Sequence, residues 1–527
     1  MRPMIPGRGT ARLRQAAPIL GILAVAALLR LVALSRLPPA HYRDVAITAL
    51  DALRAASGHP CLHYKFDEGL FANIMGALFL LFGAGDVTVR LPGVLAGIAG
   101  CWGVARLGRA LGMERAGLFG AGLMAVSLWH VILSRSGFRA ILLPTLLAFA
   151  LAALVEGLRG AGRGRFLLAG ILFGLLVHAY PSSRVAPLLV PPYLMAEIGL
   201  SRAAWRRAVP GLAIFFVAAL AIASPMLVHY LHHPADFNNP KRTVSVFSPG
   251  LGPGKVSANL EHNVAATLLM FHVRGDANWR HNLSGAPMLD PVTGLLFLGG
   301  LAAAVLMLAG RRVGAGVERP RAAAVLLLTW LPVMVLPNLL SVEGVPHGLR
   351  SAGVLPAVML LAGMAAALLF DALRRSGPLG ARSGTPVAIG AFLLMAAISG
   401  WRYGVTWGAS PEVVREHDGA FRAAARALLQ APAGAERFVI ANGKGYRVHG
   451  WPAEAACYRF ELRDHPPVLL GSKDAARLAL DGRTAYIAVI AADPTVLEVI
   501  RTLNPGAPVA EIHAPGVMPE SPVYRVN

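Results

Sequence analysis

The sequence predicts an all-α polytopic membrane protein of about eleven transmembrane helices, with external juxtamembrane helices and a small C-terminal α/β domain. Hydrophobic residues make up 55% of the 527 residues and the mean hydropathy is +0.57, both high for a soluble domain. Apolar stretches alternate with arginine-rich loops up to about residue 405, after which long apolar runs are lost. These observations predict a helical bundle followed by a domain outside the membrane.

About eleven apolar stretches approach the roughly 20 residues that a membrane-spanning helix requires. They cover residues 16–34, 87–106, 116–134, 138–158, 166–180, 184–200, 209–231, 291–310, 323–341, 351–370 and 386–405. The stretches at 166–180 and 184–200 are short and rich in proline, so tilted or broken helices are expected there. The first stretch lacks a small-residue cleavage site and is predicted to remain as an anchor.

Arginine marks alternate loops of the predicted bundle. The arginine-bearing segments are the N-terminus and residues 106–115, 159–165, 202–207, 311–321 and 374–382. Two predicted spans separate each segment from the next, as the positive-inside rule requires of cytoplasmic loops. The N-terminus is therefore predicted to be cytoplasmic and the chain after the last span to be external.

One apolar segment is too short to cross the membrane. Gly69–Gly83 has fifteen residues, about 22 Å as a helix, against a hydrocarbon core of about 30 Å. We predict that it lies at the external face as a juxtamembrane or re-entrant helix.

The prediction divides the chain into two domains. Residues 1–405 form a transmembrane domain with external loops 35–86 and 232–290, and residues 406–527 form an external α/β domain. In the second domain, strand-like runs at 438–441, 468–471, 485–490 and 509–513 alternate with helical segments, which is typical of a partly parallel sheet. It contains neither a glycine-rich phosphate loop nor a nucleophile elbow.

Charge and cysteine content argue against a nucleic-acid-binding protein and against a cysteine-ligated metal site. The net charge of +21 is explained by arginines that face an anionic cytoplasmic leaflet, so nucleic acid is not predicted as a partner. Cys61, Cys101 and Cys457 show no metal-ligand spacing, and no metal ligands are predicted.

Three polar segments on the predicted external side could carry chemistry. They are residues 41–44 with Asp51, residues 64–68, and residues 274–290. A carboxylate can act as a base toward an acceptor hydroxyl, and Arg, Lys or His can stabilise a departing phosphate. Each segment is equally open to a structural interpretation, as solvated loop charges, interfacial anchors or a structured surface loop.

Several blocks in these segments carry a family resemblance. They are LPPAHYRDVAITALDALRAASGHP, DEGLF followed by LFGAGDVTVRLPGVLAG, SLWHVILSRSGFRAILLP, MFHVRGDANWRHNLSGAPMLDPVTGLLFLGGL and VPHGLRSAGVLP. Their order resembles the C-type glycosyltransferase superfamily, whose members use polyprenyl-phosphate sugars. It is most similar to bacterial relatives of protein O-mannosyltransferases and of the lipid A aminoarabinose transferase. The resemblance runs from Leu37 to about Pro356.

The resemblance implies a glycosyltransferase of a bacterial inner membrane. The donor would be a polyprenyl-phosphate-linked hexose or pentose, the acceptor a glycan, lipid or protein, and the reaction at the external face would invert the anomeric configuration. Asp44 would be the catalytic base. Substrate contacts would come from six residues: Lys65, Glu68, Arg139, Arg280, His281 and Arg350. The chemistry allows a divalent cation but requires no cofactor.

The first loop departs from the family pattern beside the expected base. Family members usually have Asp-Glu there, whereas this chain has Asp44 followed by Val45, with Arg43 in place of an aromatic residue. A degenerate, non-catalytic protein that binds lipid-linked sugars or serves as an export scaffold is therefore an alternative. A secondary transporter is a weaker one, because acids near the membrane midplane and repeated halves are not evident.

Overall fold

The computed structural model describes residues 8–527 except 65–66, 239–244, 249–251, 312, 314–316, 343, 449, 472–473, 475–476 and 481. The chain divides into two compact units. The first, here the helical unit, comprises Met1–Val32, Leu62–Phe71 and Arg90–Trp407. The second, here the sheet unit, comprises Ala33–Cys61, Ala72–Val89 and Gly408–Asn527.

The helices up to Trp407 follow the predicted apolar stretches. They are α1 (Arg8–Leu31), α2 (Arg43–Ala56), α3 (Leu70–Phe82), α4 (Asp86–Ala110), α5 (Glu114–Val126), α6 (Leu128–Arg135), α7 (Leu142–Leu158), α8 (Arg163–Leu175), α9 (Val190–Ile198), α10 (Arg202–His232), α11 (Pro253–Leu269), α12 (Pro291–Leu308), α13 (Pro320–Leu339), α14 (Leu355–Arg375) and α15 (Pro378–Trp401). A two-stranded hairpin, β1 (His63–Tyr64) with β2 (Asp67–Glu68), precedes α3.

In the described part of the chain, seven helical segments are long and apolar enough to cross a membrane, and the pair α5–α6, bent by 61°, would be an eighth. The first predicted span, 16–34, overlaps α1, which has 24 residues. Two predicted spans, 166–180 and 184–200, form no helix of the required length. There a 3₁₀ segment at Pro181–Leu189 separates α8 from α9, because proline removes backbone donors that an α-helix needs. The fold class is thus confirmed as a helical membrane bundle with a small sheet, while the count of eleven spans stays a prediction.

The apolar segment at Gly69–Gly83 forms α3, which has thirteen residues. At 1.5 Å per residue it is about 20 Å long, shorter than the hydrocarbon core of a bilayer. Within the sheet unit it packs closely on α2, since a Cβ on Gly76 would lie 2.7 Å from the carbonyl oxygen of Ala52.

Small residues allow close helix packing in the helical unit. A Cβ on Gly117 would lie 2.7 Å from the carbonyl oxygen of Ala105, and one on Gly120 would lie 2.6 Å from that of Met359. Such close backbone approach is how membrane helices associate where lipid removes the hydrophobic driving force between them.

Buried arginines near helix ends are paired with backbone oxygens. Arg30 donates to the carbonyl oxygens of Ala26 and Ala125, both at 3.0 Å. Arg135 donates to the carbonyl oxygen of Leu29 at 2.8 Å and to the hydroxyl of Tyr403 at 2.9 Å. We therefore interpret these two arginines as structural. Their guanidinium groups and the backbone carbonyl oxygens satisfy each other's hydrogen bonds, for which lipid offers no partner.

The sheet unit contains a five-stranded mixed sheet with helices on its faces. Its remaining elements are α16 (Pro411–Glu416), α17 (Gly419–Leu429), β3 (Glu436–Ile440), β4 (Arg447–Val448), β5 (Trp451–Pro452), α18 (Ala455–Glu461), β6 (Val468–Leu470), β7 (Ala485–Val489), α19 (Pro494–Leu503), β8 (Val509–Glu511) and β9 (Val523–Val526). The strand order is β6-β3-β7-β9-β8. The pairs β3–β6 and β3–β7 are parallel and the pairs with β9 are antiparallel, so the predicted partly parallel sheet is present.

Alternation along the central strands builds a core on each face of this sheet. Val439 and Ala488 join one cluster with residues of α17 and α18, whereas Phe438 and Ile487 join the other with residues of α19. The same unit holds α2, which packs against α18. Residues 33–61 and 72–89 therefore fold as one body with the C-terminal residues.

Candidate active site

Glu68 lies at the centre of an ion cluster in the helical unit. The hairpin β1–β2 places it beside Arg139, whose Nε lies 3.4 Å from Glu68 Oε2 and whose Nη1 lies 2.7 Å from Asp67 Oδ1. Arg184 Nη2 lies 3.7 Å from Glu68 Oε1, and the hydroxyl of Tyr230 donates to that same oxygen at 3.2 Å. The carboxylate is only 3% exposed, so the two guanidinium groups compensate a charge that water cannot reach.

A second cluster is built around Asp276. Its Oδ1 accepts from the backbone N–H of Asn278 at 2.7 Å, and its Oδ2 accepts from that of Gly348 at 2.6 Å. His281 Nδ1 lies 2.9 Å from the same Oδ2. Asn278 in turn accepts from Nε of Arg280 at 3.0 Å. The loop that follows α11 and the loop that precedes α14 are thereby joined through one carboxylate.

Burial disfavours the charged form of both His281 and His347. Burial lowers the pKa of His281 below its ordinary value, although the hydrogen bond to Asp276 acts in the opposite direction. Burial lowers the pKa of His347 further, and the charges of Arg350 and Arg280 add to the effect. Neutral imidazole can accept a proton or bind a metal ion.

The clusters around Glu68 and Asp276 are neighbours. Phe138, beside Arg139 in the chain, packs edge-on against His281 with ring centroids 5.6 Å apart. The guanidinium carbon of Arg139 lies 5.5 Å from the ring centroid of Tyr180, and the charges of Arg139 and Arg350 both act on the Tyr180 hydroxyl. Five of the predicted substrate contacts, namely Glu68, Arg139, Arg280, His281 and Arg350, are thus brought together in one unit. The sixth, Lys65, lies outside the described residues.

An apolar cavity of about 740 Å³ opens beside the Glu68 cluster. It is lined by α8, α9, α10 and the 3₁₀ segment between α8 and α9, and among the described residues that line it Arg184 is the only one with a charged side chain. Tyr230, which also lines the cavity, is the residue that hydrogen-bonds Glu68. Lining residues on α10 run from Trp205 to Tyr230, about 37 Å along the helix axis. The cavity therefore extends over a length close to the membrane thickness.

Asp44 lies in the first turn of α2, in the sheet unit. The hydroxyl of Tyr446 donates to Asp44 Oδ1. The adjacent Val45 is 1% exposed, so a glutamate at that position would place a carboxylate in an apolar interior. The departure from the family pattern thus has a physical reason within this unit.

Arg43 connects α2 to the C-terminal part of the sheet unit. Its Nη2 and Nε lie 2.6 Å and 3.0 Å from the two carboxylate oxygens of Asp418, and its Nη1 pairs with Glu454. The pKa of Arg43 is raised above its ordinary value because these acids outweigh the effect of burial. Arg43, which replaces a family aromatic residue, is therefore part of an internal ion network.

Three groups of described residues are close enough to share a cation. They are His63 with His229 and Asp236, Asp276 with His281 and His347, and His41 with Asp86 and Glu461. The first two groups belong to the helical unit and the third to the sheet unit.

Sequence reasoning missed Arg184, Tyr230 and Tyr446. Arg184 could have been selected from the sequence, because an ionisable residue at the edge of a predicted span is itself a candidate for function. Tyr446 could not have been, since it lies 402 positions from Asp44.

Comparison with known proteins agrees with the family resemblance of the sequence. Residues 70–229 match the family model described as dolichyl-phosphate-mannose-protein mannosyltransferase. The fold is similar to ArnT from Cupriavidus metallidurans in the apo state, at a TM-score of 0.59, and bound to undecaprenyl phosphate, at 0.58. In both cases the identity is 14%, and the match covers 97% of this chain and 98% of ArnT. The apo oligosaccharyltransferase of Archaeoglobus fulgidus is a looser match, at a TM-score of 0.47 and 13% identity over 94% of this chain and 69% of that protein.

No curated protein matches the sequence significantly. The family match over residues 70–229 and the fold shared with ArnT confirm the resemblance to C-type glycosyltransferases that the sequence blocks predicted. Its several apolar helices make it a multi-pass membrane protein.

Proposed function

We propose that this protein transfers a sugar from a polyprenyl-phosphate donor to an acceptor at the external face of a bacterial inner membrane. The observation that carries the proposal is the apolar cavity, which Arg184 lines beside the Glu68–Arg139 cluster. An apolar volume ending at cations suits a lipid chain with a phosphate head. ArnT, which has this fold, has been solved with undecaprenyl phosphate bound.

In the proposed reaction the donor phosphate is the leaving group. We propose that the phosphate is contacted by Arg139, Arg280 and Arg350. Arg184 is a further candidate because it lines the cavity. For Lys65 and His281 the contact is predicted from the sequence alone. Cationic side chains favour departure because they stabilise the charge that develops as the bond to the anomeric carbon breaks.

The acceptor supplies the nucleophile. By its position in the resemblance, Asp44 takes the proton from the acceptor hydroxyl as the oxygen attacks the anomeric carbon. The sugar–phosphate bond breaks, the polyprenyl phosphate leaves with the bonding electrons, and a single displacement inverts the anomeric configuration. The hydrogen bond from Tyr446 orients the Asp44 carboxylate.

Occupation of the cavity by the lipid chain is tested by filling it. Ala223 on α10 lines the cavity, so a phenylalanine there would occupy space that the lipid chain needs. Ala223→Phe should therefore weaken binding of undecaprenyl phosphate by about tenfold or more, which corresponds to a loss of about 1.4 kcal/mol of binding free energy. Binding is measured by native mass spectrometry of the full chain in detergent. Ala221→Phe, at an exposed position two residues earlier on the same helix, is the matched control and should bind normally. Equal binding by both variants would exclude the cavity as the lipid site.

We further propose that the N-terminus is cytoplasmic and that the residues after Trp407 are external. The alternation of arginine-rich loops supports this orientation. Alkaline phosphatase fused after Asn527 should be active, because the enzyme matures only outside the cytoplasm, whereas green fluorescent protein at the same position should be dark. The reverse pattern would overturn the orientation.

A non-catalytic scaffold that binds lipid-linked sugars is the second candidate. The buried Val45 favours it, since the family's second acid is absent from the first loop. Such a protein would bind the polyprenyl phosphate as strongly as an enzyme but would release no sugar from any donor.

A further inference from the structure

We propose that Asp276, His281 and His347 bind a divalent transition-metal ion, for which zinc is the best match to the donor set. Each residue offers one ligand atom, and these atoms lie within 4.8 Å of one another. Two imidazole nitrogens and a carboxylate are a frequent zinc set that leaves a fourth position open. The inference concerns the ion alone and does not depend on the proposed transfer reaction.

His347 supplies the observation that points to a ligand. Its Nδ1 is buried and has no hydrogen-bond partner within the part of the chain that the structure describes. Its backbone N–H, by contrast, donates to Asn338 Oδ1 at 3.0 Å, and Asn338 Nδ2 donates to Thr267 at 2.8 Å. The residue is thus held firmly while one ring nitrogen stays unsatisfied, which is unfavourable unless something binds it.

Asp276 fixes the second imidazole. Backbone N–H groups of Asn278 and Gly348 hold its carboxylate, and His281 Nδ1 lies 2.9 Å from Oδ2. A carboxylate paired with an imidazole in this way is the usual arrangement at metal-binding histidines. Asp276 acts as a ligand itself or orients His281 through Nδ1, leaving Nε2 for the ion. Both arrangements require all three residues.

The two imidazole rings lie close enough together to share an ion. Their centroids lie 4.6 Å apart. The nearby side chains of Arg280 and Arg350 oppose a cation, and the carboxylate of Asp276 offsets part of that effect. A bound ion would fasten the loop before α12 to the loop before α14.

The test uses the full-length protein in detergent. Metal is removed with a chelator, the protein is dialysed against zinc, and bound zinc is measured by inductively coupled plasma mass spectrometry. His347→Ala and His281→Ala should each lose one equivalent relative to the unmodified chain, and zinc should raise the Tm of the unmodified chain but not of these variants. His262→Ala removes an exposed histidine of α11 and should change neither quantity.

Because a truncated imidazole could disturb folding, Asp276→Asn provides the second variant. It should weaken zinc binding by about 10–100-fold, the usual effect of losing a carboxylate partner of a metal-binding histidine. Full zinc stoichiometry in histidine variants that elute as the unmodified chain does would overturn the proposal. So would an unmodified chain that binds no zinc.

Discussion

Replacing Asp44 by asparagine is expected to lower the rate of sugar transfer by about 10²–10⁴-fold, the usual contribution of a general base. The amide keeps the shape of the side chain and can still contact Tyr446, but it cannot take the proton from the acceptor hydroxyl. Binding of the lipid donor should be unchanged, because the proposed lipid and phosphate contacts lie on other elements. The measurement is a transfer assay run beside a binding assay on the same preparation.

A matched control separates chemistry from a loss of charge in the sheet unit. Asp464, whose side chain is 80% exposed, should tolerate Asp464→Asn without effect on transfer. A rate for Asp44→Asn within twofold of the control would remove Asp44 from the role of base. A loss of donor binding in that variant would instead show that Asp44 contacts the donor.

The second large effect concerns stability. Arg43→Met should destabilise the sheet unit by about 3–5 kcal/mol, because removing one partner of a buried ion network leaves its other charges uncompensated. Asp418 is 5% exposed and Glu454 is 7% exposed, so water cannot replace the lost guanidinium. Methionine preserves the length and much of the apolar stem, which limits the change to the charge and its hydrogen bonds.

Hydrogen–deuterium exchange of the central strands β3 and β7 measures this loss. Protection of their amides should fall by about a hundredfold or more, since each 1.4 kcal/mol changes an opening equilibrium tenfold. Arg447→Met, at an exposed arginine of the same unit, should leave exchange unchanged. If Arg43→Met behaves like this control, the ion network does not hold α2 to the C-terminal residues.

The helices, the short α3 and the central strands were predictable because their signals are local. Val439 and Ala488 alternate with Phe438 and Ile487 across the two faces of the sheet, a pattern of period two that is visible in the sequence. The break between α8 and α9 is also local in origin. The prolines within residues 181–192 predicted tilted or broken helices there, and α8 and α9 have thirteen and nine residues.

Long-range pairing accounts for what the sequence could not show. Arg43 and Asp418 lie 375 positions apart, and no periodicity relates them. The joining of α2 to the C-terminal sheet, the orientation of Asp44 by Tyr446 and the pairing of Asp276 with Gly348 are all of this kind. The family resemblance brought out Glu68 and Arg139 as separate positions, and only the fold showed that Arg184 and an apolar cavity lie beside them.

Transfer from a polyprenyl-phosphate sugar is tested most directly by one assay. The full-length protein in lipid nanodiscs is mixed with a panel of undecaprenyl-phosphate hexoses and pentoses, labelled in the sugar, and with cell-envelope extract as acceptor. Label should move from the lipid to the acceptor fraction for at least one donor, with release of undecaprenyl phosphate, and should stay on the lipid with Asp44→Asn. Normal lipid binding with no label transferred from any donor would contradict the claim and leave a lipid-binding scaffold.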